Sequence, residues 1–253
     1  MPLEPVTVVV PTYNEAENIG ELAGQILDHG YRLLVVDDGS PDGTGEIADE
    51  LAAKSRRMGV LHRPGKGGLG PAYIAGFDRA LEEGAELVAQ MDADFSHDPN
   101  DLTRLVGDVQ SGADLVIGSR YVPGGGAPDW SPTRRWISRG GNVYARVALG
   151  LPVLDATGGY RAFRAGALAR LEYGTTHASG YAFQVEMAWR AWLAGLTVIE
   201  VPIVFRDRQR GRSKMGLPIV AEAVGLITKW GLARLAGKLP WHPDGGDRSS
   251  GHR

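Results

Sequence analysis

The sequence predicts an α/β fold built on a mainly parallel sheet with helices on both faces. Over the first 120 residues, short runs rich in β-branched residues alternate with longer stretches whose apolar residues recur at helical spacing. This alternation is typical of βαβ units, in which each crossover helix returns the chain to the same end of the sheet. Polar, loop-like segments follow several of the apolar runs, and ligands bind at such strand ends in open parallel sheets.

The strands and helices of the first half can be placed in order. Residues 6–10 are valine except for one threonine, which predicts a buried strand, and residues 15–29 carry apolar positions at helical spacing. Leucine and valine predict a second strand at 33–36, and a second helix is predicted at 44–56. The remaining predicted elements of this half are a short strand at 59–62, a helix at 71–83, a strand at 86–91, a helix at 100–110 and a strand at 114–118.

The pattern changes after residue 121. Residues 122–132 hold three consecutive glycines and three prolines, which predicts a mobile loop. Glu186 and Arg190 lie four residues apart in a predicted helix and are expected to form a surface pair. The predicted elements of this half are a helix with four arginines at 133–149, a strand at 158–164, a helix at 181–193, a strand at 197–201, a basic loop at 206–214 and a helix at 217–239.

We predict a catalytic domain over residues 1–216, an amphipathic interfacial helix over 217–239 and a disordered tail over 240–253. The helix has a wide apolar arc and few charges, so packing against the core is the alternative to binding a membrane surface. The tail is polar and rich in glycine and serine, a composition that does not support a core of its own.

Composition excludes several classes of protein. The 253 residues are 43% hydrophobic and 23% charged, as in globular proteins with a substantial core. The formal net charge of −3 argues against binding of nucleic acid through overall charge, and the lack of cysteine excludes disulfides and thiol catalysis. Because no uninterrupted apolar run of about 18 residues occurs and no basic leader precedes the first strand, we expect neither a membrane span nor a signal peptide.

Asp92-Ala93-Asp94 is the most informative motif, and it follows the apolar run of a predicted strand. Alternate residues at a strand end point the same way, so the two carboxylates would converge on one point. Converging carboxylates repel one another unless a cation lies between them. A hard divalent ion with open water positions suits both carboxylates and substrate phosphates. Taken alone, the motif also fits an acidic turn that binds nothing.

Other strand ends carry groups that suit a nucleotide and its phosphates. Tyr13 offers a flat ring against which a base can stack, and Asp38 could accept from a base or from ribose hydroxyls. Lys66 lies in a glycine-rich loop that allows close approach of the backbone to a ligand. Arginines and a lysine concentrate in the second half of a chain whose net charge is negative, which favours a polyanionic substrate over a merely solvated basic surface.

Taken together, these motifs resemble those of the family-2, GT-A glycosyltransferases. The resemblance is carried by Pro11-Thr12-Tyr13-Asn14-Glu15, Asp37-Asp38-Gly39-Ser40, Asp92-Ala93-Asp94 and Gly118-Ser119-Arg120-Tyr121. Four further motifs are similar to those of the dolichol-phosphate (polyprenol-phosphate) mannose synthases. These are Ser40-Pro41-Asp42-Gly43-Thr44, Gly65-Lys66-Gly67-Gly68-Leu69-Gly70, Thr157-Gly158-Gly159-Tyr160-Arg161 and Gly211-Arg212-Ser213-Lys214-Met215, so the resemblance covers about residues 6–216.

The resemblance implies a set of site residues. Those at the guanosine end of GDP-mannose are Pro11, Tyr13, Glu15, Val36, Asp38 and Lys66. Those facing ribose, diphosphate and metal are Asp92, Ala93 and Asp94, with Asp94 and the Ser96 hydroxyl as ligands of Mg²⁺ or Mn²⁺. Those holding the donor diphosphate or the acceptor phosphate are Arg120, Arg134, Ser138, Arg208 and Lys214. The implied catalytic residues are Asp94, Arg120 and Lys214. Some relatives have a glutamine where Ser96 stands, and a serine is the weaker metal ligand.

The resemblance implies an inverting enzyme that moves mannose from GDP-mannose to a polyprenyl (dolichyl-type) phosphate and forms a β linkage. Transfer from another donor such as UDP-glucose, and a non-catalytic subunit that binds a nucleotide sugar, are the alternatives that the residues leave open. Because a polyprenyl tail stays in a membrane, we expect a peripheral protein on the cytoplasmic face of a membrane. A membrane-anchored partner protein fits this expectation, whereas a nucleic-acid partner does not.

Overall fold

Seven strands form one sheet in the computed structural model. The structure describes residues 5–176, 178, 180–207, 217–239 and 241. In the last helix it describes side chains from Val220 onward. The strands are β1 (Val6–Thr12), β2 (Arg32–Asp37), β3 (Met58–His62), β4 (Leu87–Gln90), β5 (Leu115–Ser119), β6 (Arg161–Arg164) and β7 (Val198–Pro202). Their order across the sheet is β3-β2-β1-β4-β6-β5-β7. Only β6 runs antiparallel to its neighbours among these strands, between β4 and β5.

Helices cover both faces of the sheet, as the sequence predicted. They are α1 (Ile19–Asp28), α2 (Thr44–Ala52), α3 (Leu69–Glu82), α4 (Leu102–Gln110), α5 (Pro132–Leu149), α6 (Ala165–Ala169), α7 (Gly180–Leu193) and α8 (Leu217–Leu235). One core layer forms under α1, α2 and α4, and the other under α3, α6 and α7. Helices α5 and α8 join the second layer through their buried residues. The mainly parallel sheet with helices on both faces is therefore confirmed.

The central strands are buried on both faces, which explains their nearly continuous apolar sequence. In β1, Val8 and Val10 belong to one core layer and Val9 to the other, and β2 divides its residues in the same way. Successive side chains of a strand point to opposite faces, so a strand with helices on both sides needs apolar residues at every position.

The ends of three elements differ from the sequence prediction. The helix expected from residue 15 begins at Ile19. Asn14 has a φ of 58°, and residues 15–18 form a turn in which the amide of Asn18 donates to the carbonyl of Glu15 at 2.9 Å. The strand expected at 158–164 begins at Arg161, after a turn. The helix expected at 217–239 ends at Leu235.

Glu186 and Arg190 are not a surface pair, so that prediction is wrong. Both are buried in α7, where the guanidinium of Arg190 lies 2.5 Å from the Glu186 carboxylate and also donates to the carbonyls of Leu171 and Glu172. The i,i+4 spacing was identified correctly, but it carries no information about burial. The depth of α7 follows from α8, which covers its outer side.

The last helix packs on one side and is exposed on the other. Ala223, Ile227 and Trp230 are buried, and the Trp230 ring stacks on Trp189 of α7 with 5.9 Å between centroids. The opposite side exposes Val224, Leu232 and Leu235, so α8 packs on the core through one side and presents apolar residues to solvent on the other. Beyond it, Trp241 is buried and its indole N–H donates to Glu172 at 2.9 Å. The rest of the tail predicted to be disordered lies outside the described residues.

Within the described part of the chain, no helix is long and apolar enough to cross a membrane.

Gly76 of α3 provides a test of the packing between helix and sheet. A methyl group at this position would collide with Val9 Cγ1 and lie 3.0 Å from Val36 Cγ2, whereas a methyl group at Gly107 of α4 would meet no atom within 4 Å. We expect Gly76→Ala to lower the free energy of unfolding by ~1–3 kcal/mol. The matched control Gly107→Ala should raise it by ~0.4–1 kcal/mol through reduced unfolded-state entropy. Urea unfolding measures both, and a stabilised Gly76→Ala would contradict the described contact.

Candidate active site

A cleft of about 580 Å³ lies at the carboxyl ends of the central strands. Because β1 pairs with β2 on one side and β4 on the other, the cleft occupies the point where the strand order reverses, the usual ligand position in such sheets. Most of the residues that the sequence assigned to the site line it, namely Pro11, Tyr13, Glu15, Asp38, Lys66, Asp92, Ala93, Asp94, Ser96, Arg120 and Arg134.

Four assigned residues are placed elsewhere or are not described. Val36 is completely buried in β2, where it packs into the core beneath α3. Ser138 of α5 accepts a hydrogen bond from the Tyr121 hydroxyl at 2.7 Å. Arg208 and Lys214 lie outside the described residues. The ligand roles of these four residues, like those of the cleft residues, stay predictions.

One end of the cleft combines an aromatic ring with a positive charge. The ammonium group of Lys66 lies 4.7 Å from the centre of the Tyr13 ring, a cation–π contact between the first strand-end loop and the glycine-rich loop. An aromatic ring and a cation held together in this way suit a planar, electron-rich base, as the sequence predicted for the guanosine end.

Asp37, the last residue of β2, and Asp38, which follows it, have different partners. Asp37 accepts from the hydroxyls of Thr12 and Ser40, at 3.0 and 2.5 Å, so it holds adjacent loops together. Asp38 lines the cleft, forms an ion pair with Arg63 and accepts from the amide of Gly67 at 3.0 Å. Asp38 therefore fixes the glycine-rich loop at the edge of the cleft.

The carboxylate pair lies in a turn rather than on a strand. Because β4 ends at Gln90, Asp92 and Asp94 do not belong to the strand. The expectation that strand geometry makes the two side chains converge is therefore wrong. A turn with Phe95 at a φ of 57° brings both to the same cleft. Asp94 is nearly buried and accepts from the amide of Ser96 at 3.0 Å.

His97 supports this turn as a neutral ring. It is nearly buried, stacks on Tyr160 with 4.7 Å between centroids, and its Nδ1 accepts from the amide of Asp92 at 3.2 Å. Burial lowers the pKa of His97 to about 4, outweighing the attraction of Asp94. Since the hydrogen bond uses Nδ1 as an acceptor, the proton of the neutral ring lies on Nε2.

The carboxylate pair fits a divalent cation that takes part of its shell from substrate. Among the described residues, no group of three or more histidine, cysteine, aspartate or glutamate side chains is arranged to hold a metal ion. Two carboxylates with a serine hydroxyl beside them are a small all-oxygen donor set. Mg²⁺ is commonly held by one or two carboxylates, with waters and substrate phosphates as the remaining ligands.

Arg120, which lines the same cleft, is held by the buried carboxylate of Asp155. Its Nε and Nη2 donate to the two oxygens of Asp155 at 2.7 and 2.6 Å, and its amide donates to the same carboxylate at 2.9 Å. Although burial raises the pKa of Asp155, Arg120 outweighs burial and brings that pKa below its usual value. The Arg120 charge is thus compensated and its orientation fixed.

The turn that carries Asp155 is itself anchored. The carboxylate of Glu200 accepts from the amides of Leu154 and Asp155, at 2.6 and 2.8 Å, and so ties the turn to β7. Thr157 exchanges two hydrogen bonds with the Asn142 amide group, at 3.0 and 3.2 Å, and so ties it to α5. Through the anchored turn, these contacts orient Arg120 from two elements of the fold, β7 and α5.

Trp130 joins the two arginines of the cleft. The centre of its ring lies 5.1 Å from the Arg120 guanidinium and 4.3 Å from that of Arg134. Arg134 also pairs with Asp207 at 2.7 Å. The loop that carries Trp130, predicted to be mobile, is joined to the segment after β7 by an isolated bridge between Gly126 and Val204.

A second recess of about 590 Å³ adjoins the cleft. It shares Arg120 and Trp130 with the cleft and extends along the start of α5, where Arg135, Trp136 and Arg139 line it. Its walls combine aromatic surface with cations, which suits an amphiphile that carries a negative charge.

Sequence reasoning missed Asp155, Trp130 and Asp207. Asp155 had a signal, because it stands two residues before the Thr157–Arg161 motif that carried the resemblance. Trp130 and Asp207 lie in irregular segments, where no periodicity or motif assigns a direction to a side chain.

A model of the family described as Glycosyl transferase family 2 matches residues 7–171. A polyprenol monophosphomannose synthase from Mycolicibacterium smegmatis is 46% identical over 235 residues, which cover 91% of this chain and 88% of that protein. An undecaprenyl-phosphate mannosyltransferase from Micrococcus luteus is 48% identical over 230 residues, covering 90% of this chain and 94% of that protein.

The fold is also similar to that of glucosyl-3-phosphoglycerate synthase from Mycobacterium tuberculosis, solved with Mn²⁺, UDP and glucosyl-3-phosphoglycerate. The TM-score is 0.63 at 21% sequence identity, and the match covers 94% of this chain and 82% of that chain. At this identity the likeness concerns the fold alone.

Asp155→Asn tests the buried ion pair. The variant leaves the Arg120 charge buried without its carboxylate, so we expect the free energy of unfolding at neutral pH to fall by ~3–5 kcal/mol. The pKa of Asp155 is lower in the folded state than its unfolded value of 3.8. The ionised carboxylate therefore contributes its full share of the free energy of unfolding above pH 3.8, and this share is lost as the pH falls through the lower, folded-state pKa. The wild type and the variant should therefore converge in urea titrations at successively lower pH.

The matched control is Glu83→Gln, which removes one charge from an exposed pair with Arg79. Exposed pairs contribute little, so the change should stay below ~1 kcal/mol. An Asp155→Asn variant as stable as this control would show that the buried pair does not hold the turn.

Proposed function

The chain belongs to glycosyl transferase family 2, and from this premise we propose that it transfers mannose from GDP-mannose to a polyprenyl phosphate. One observation carries the proposal beyond the likeness to two polyprenyl-phosphate mannosyltransferases. A single cleft is lined by Asp92, Asp94, Arg120 and Arg134, and the Tyr13–Lys66 contact lies in the same cleft.

The nucleotide end of the cleft suits the base and ribose of the donor. Tyr13 supplies a stacking surface, and Asp38 supplies a carboxylate whose position is already set by Arg63 and the Gly67 amide. Asp92 serves the ribose, while the neutral His97 holds its backbone in place. These contacts bind and orient the donor without taking part in bond formation.

The carboxylate of Asp94, with the Ser96 hydroxyl beside it, is the proposed site of Mg²⁺ or Mn²⁺. A divalent cation there would neutralise negative charge on the diphosphate leaving group. Mn²⁺ occurs together with UDP in the similar synthase from Mycobacterium tuberculosis, which supports the choice of a divalent ion.

The acceptor needs no strong general base. A phosphate monoester loses its second proton near pH 6, so the attacking oxygen is already anionic at neutral pH. The larger difficulty is repulsion between the acceptor phosphate and the donor diphosphate. Arg120 and Arg134 offset it as cations fixed in advance by Asp155, Asp207 and Trp130.

A single displacement at the anomeric carbon inverts its configuration, so the proposed product is a β-linked mannosyl phosphate, with a dolichyl-type lipid as acceptor. Arg208 and Lys214 are proposed to complete the phosphate site. Because the tail of the acceptor stays in a bilayer, the enzyme is proposed to act as a peripheral protein at the cytoplasmic face of a membrane.

Donor and acceptor can be tested together. Purified full-length protein is incubated with radiolabelled GDP-mannose or UDP-glucose, a polyprenyl phosphate in detergent, and MgCl₂ or MnCl₂. We expect label in the organic phase with GDP-mannose alone. Label from UDP-glucose would replace the proposed donor, and no lipid-linked label from either donor would favour a non-catalytic subunit that binds a nucleotide sugar.

Asp94→Asn tests the proposed metal ligand. Asparagine still has an oxygen that can accept from the Ser96 amide, so the turn should persist while the charge is lost. We expect transfer to fall by on the order of a hundredfold to a thousandfold. The control Asp28→Asn, at an exposed position at the end of α1, should transfer like the wild type. Near-normal transfer by Asp94→Asn in excess chelator would remove the metal from the proposal.

A further inference from the structure

Gln184 of α7 is a buried amide that lines the cleft and to which no role has yet been assigned. Its side chain belongs to the cleft wall although the residue is only 2% exposed. Helix α7 carries two other buried polar side chains, Glu186 and Arg190, and these pair with one another. Gln184 instead meets Gln90, the last residue of β4.

The neighbours of the Gln184 amide fix which way it faces. Gln90 Nε2 donates to the carbonyl of Gly159 and to Gln184 Oε1, both at 2.9 Å. A carbonyl oxygen can only accept, so the Gln90 atom that meets Gly159 must be the nitrogen. The Gln184 atom that meets the same nitrogen must then be the oxygen. The Gln184 nitrogen is therefore the atom of the amide that is turned away from Gln90.

This nitrogen is a donor without a partner. Among the residues that the structure describes, Gln184 Nε2 is buried and has no hydrogen-bond partner. Buried polar groups are nearly always paired, because an unpaired group has lost its hydration without replacing it. A buried, unpaired donor on a residue that lines a ligand cleft indicates that the ligand supplies the acceptor.

Gly159 gives a ligand access to this donor. A Cβ at Gly159 would lie 3.8 Å from Gln184 Nε2 and 3.8 Å from Asp92 Oδ1. All three residues line the cleft. Because glycine places no side chain between the amide and the carboxylate, a polar part of a ligand can approach both groups there.

The hexose of the donor is the part that suits this position. In the proposed function the base lies at Tyr13 and the diphosphate at Asp94, and the hexose follows the diphosphate. The turn that carries Gly159 also carries Thr157, which accepts from Arg120 at 2.9 Å. This turn joins an arginine proposed for the phosphates to the carboxylate motif, and the reacting sugar must lie between those groups. A neutral amide suits a sugar hydroxyl, whereas arginine suits phosphate.

We propose that Gln184 determines specificity for the donor sugar by donating a hydrogen bond from Nε2 to one hydroxyl of the hexose. The proposal rests on the proposed function and deepens its donor site. Gln90 is the positioning residue, because it holds Oε1 and so directs Nε2. A donor sugar without that hydroxyl leaves a buried N–H unpaired, and the site discriminates against it for this reason.

Calorimetric titration without an acceptor tests the contact. Full-length protein in MgCl₂ is titrated with GDP, with GDP-mannose and with GDP-mannose analogues that each lack one hydroxyl of the hexose. We expect one analogue to bind the wild type about tenfold more weakly than GDP-mannose does. Gln184→Leu should bind GDP normally, bind GDP-mannose about tenfold more weakly and no longer distinguish that analogue from GDP-mannose.

The matched control is Gln110→Leu, at an exposed position at the end of α4, which should match the wild type in every titration. A purely structural role of Gln184 would weaken GDP and GDP-mannose alike. It would also leave the preference for GDP-mannose over the analogue unchanged.

Gly159→Ala tests the position without altering the amide. Its methyl group would be in ordinary van der Waals contact with Gln184 and Asp92, so the fold should persist while the approach to Nε2 is narrowed. We expect binding of GDP-mannose to weaken about tenfold more than binding of GDP. Gly166→Ala, whose methyl group would meet no atom within 4 Å, should bind both ligands like the wild type.

Two results would overturn the proposal for Gln184. One is wild-type protein that binds every analogue as tightly as GDP-mannose, which needs no variant to fold. The other is a Gln184→Leu variant that weakens GDP and GDP-mannose equally, which would assign the amide to the ribose or to the shape of the cleft. The titrations need no turnover, so discrimination without mannose transfer counts against the proposed function alone. Normal transfer without discrimination counts against Gln184 alone, and failure of the wild type to bind GDP-mannose would overturn both.

Discussion

The parallel pairing of β1 with both β2 and β4 determines where everything else in the site can lie. It brings the ends of three strands to one edge of the sheet, so loops distant in sequence meet at a single cleft. Parallel strands are joined by crossover helices, which cover both faces of the sheet. The paired strands are therefore buried on both faces. The antiparallel strand β6 then brings the turn before it, with Asp155, to the same edge, where Asp155 binds Arg120.

Each arginine that the structure describes in the lining of the cleft already has a carboxylate and an aromatic partner. Arg120 is paired with Asp155, Arg134 with Asp207 and Trp130, and both arginines are therefore oriented before a ligand arrives. A buried ion pair gains little stability, because desolvation of the charges offsets their attraction. The pairing is better understood as orientation: it fixes positive charge in the cleft where, under the proposed function, two phosphate groups would approach one another.

The cleft and the second recess meet at Arg120 and Trp130, and helix α5 lines both of them. Arg134 belongs to the cleft, whereas Arg135, Trp136 and Arg139 belong to the recess. The recess therefore adds aromatic and positively charged surface beside the arginines of the cleft, a combination that suits the proposed lipid phosphate acceptor.

The sequence alone determined the alternation of strands and helices, the parallel sheet and the strand ends at which polar residues gather. These features depend on local periodicity and on residues adjacent along the chain, such as the valines of β1 and the Asp92–Asp94 motif. Only the tertiary structure decided that β6 runs antiparallel, that Glu186 and Arg190 are buried, that Val36 lies within the core and that Asp155 holds Arg120. The physical reason is that burial and the choice of a partner depend on which elements cover one another, and 35 residues separate Arg120 from Asp155. Spacing along a chain fixes the face on which a side chain lies, but not what that face meets.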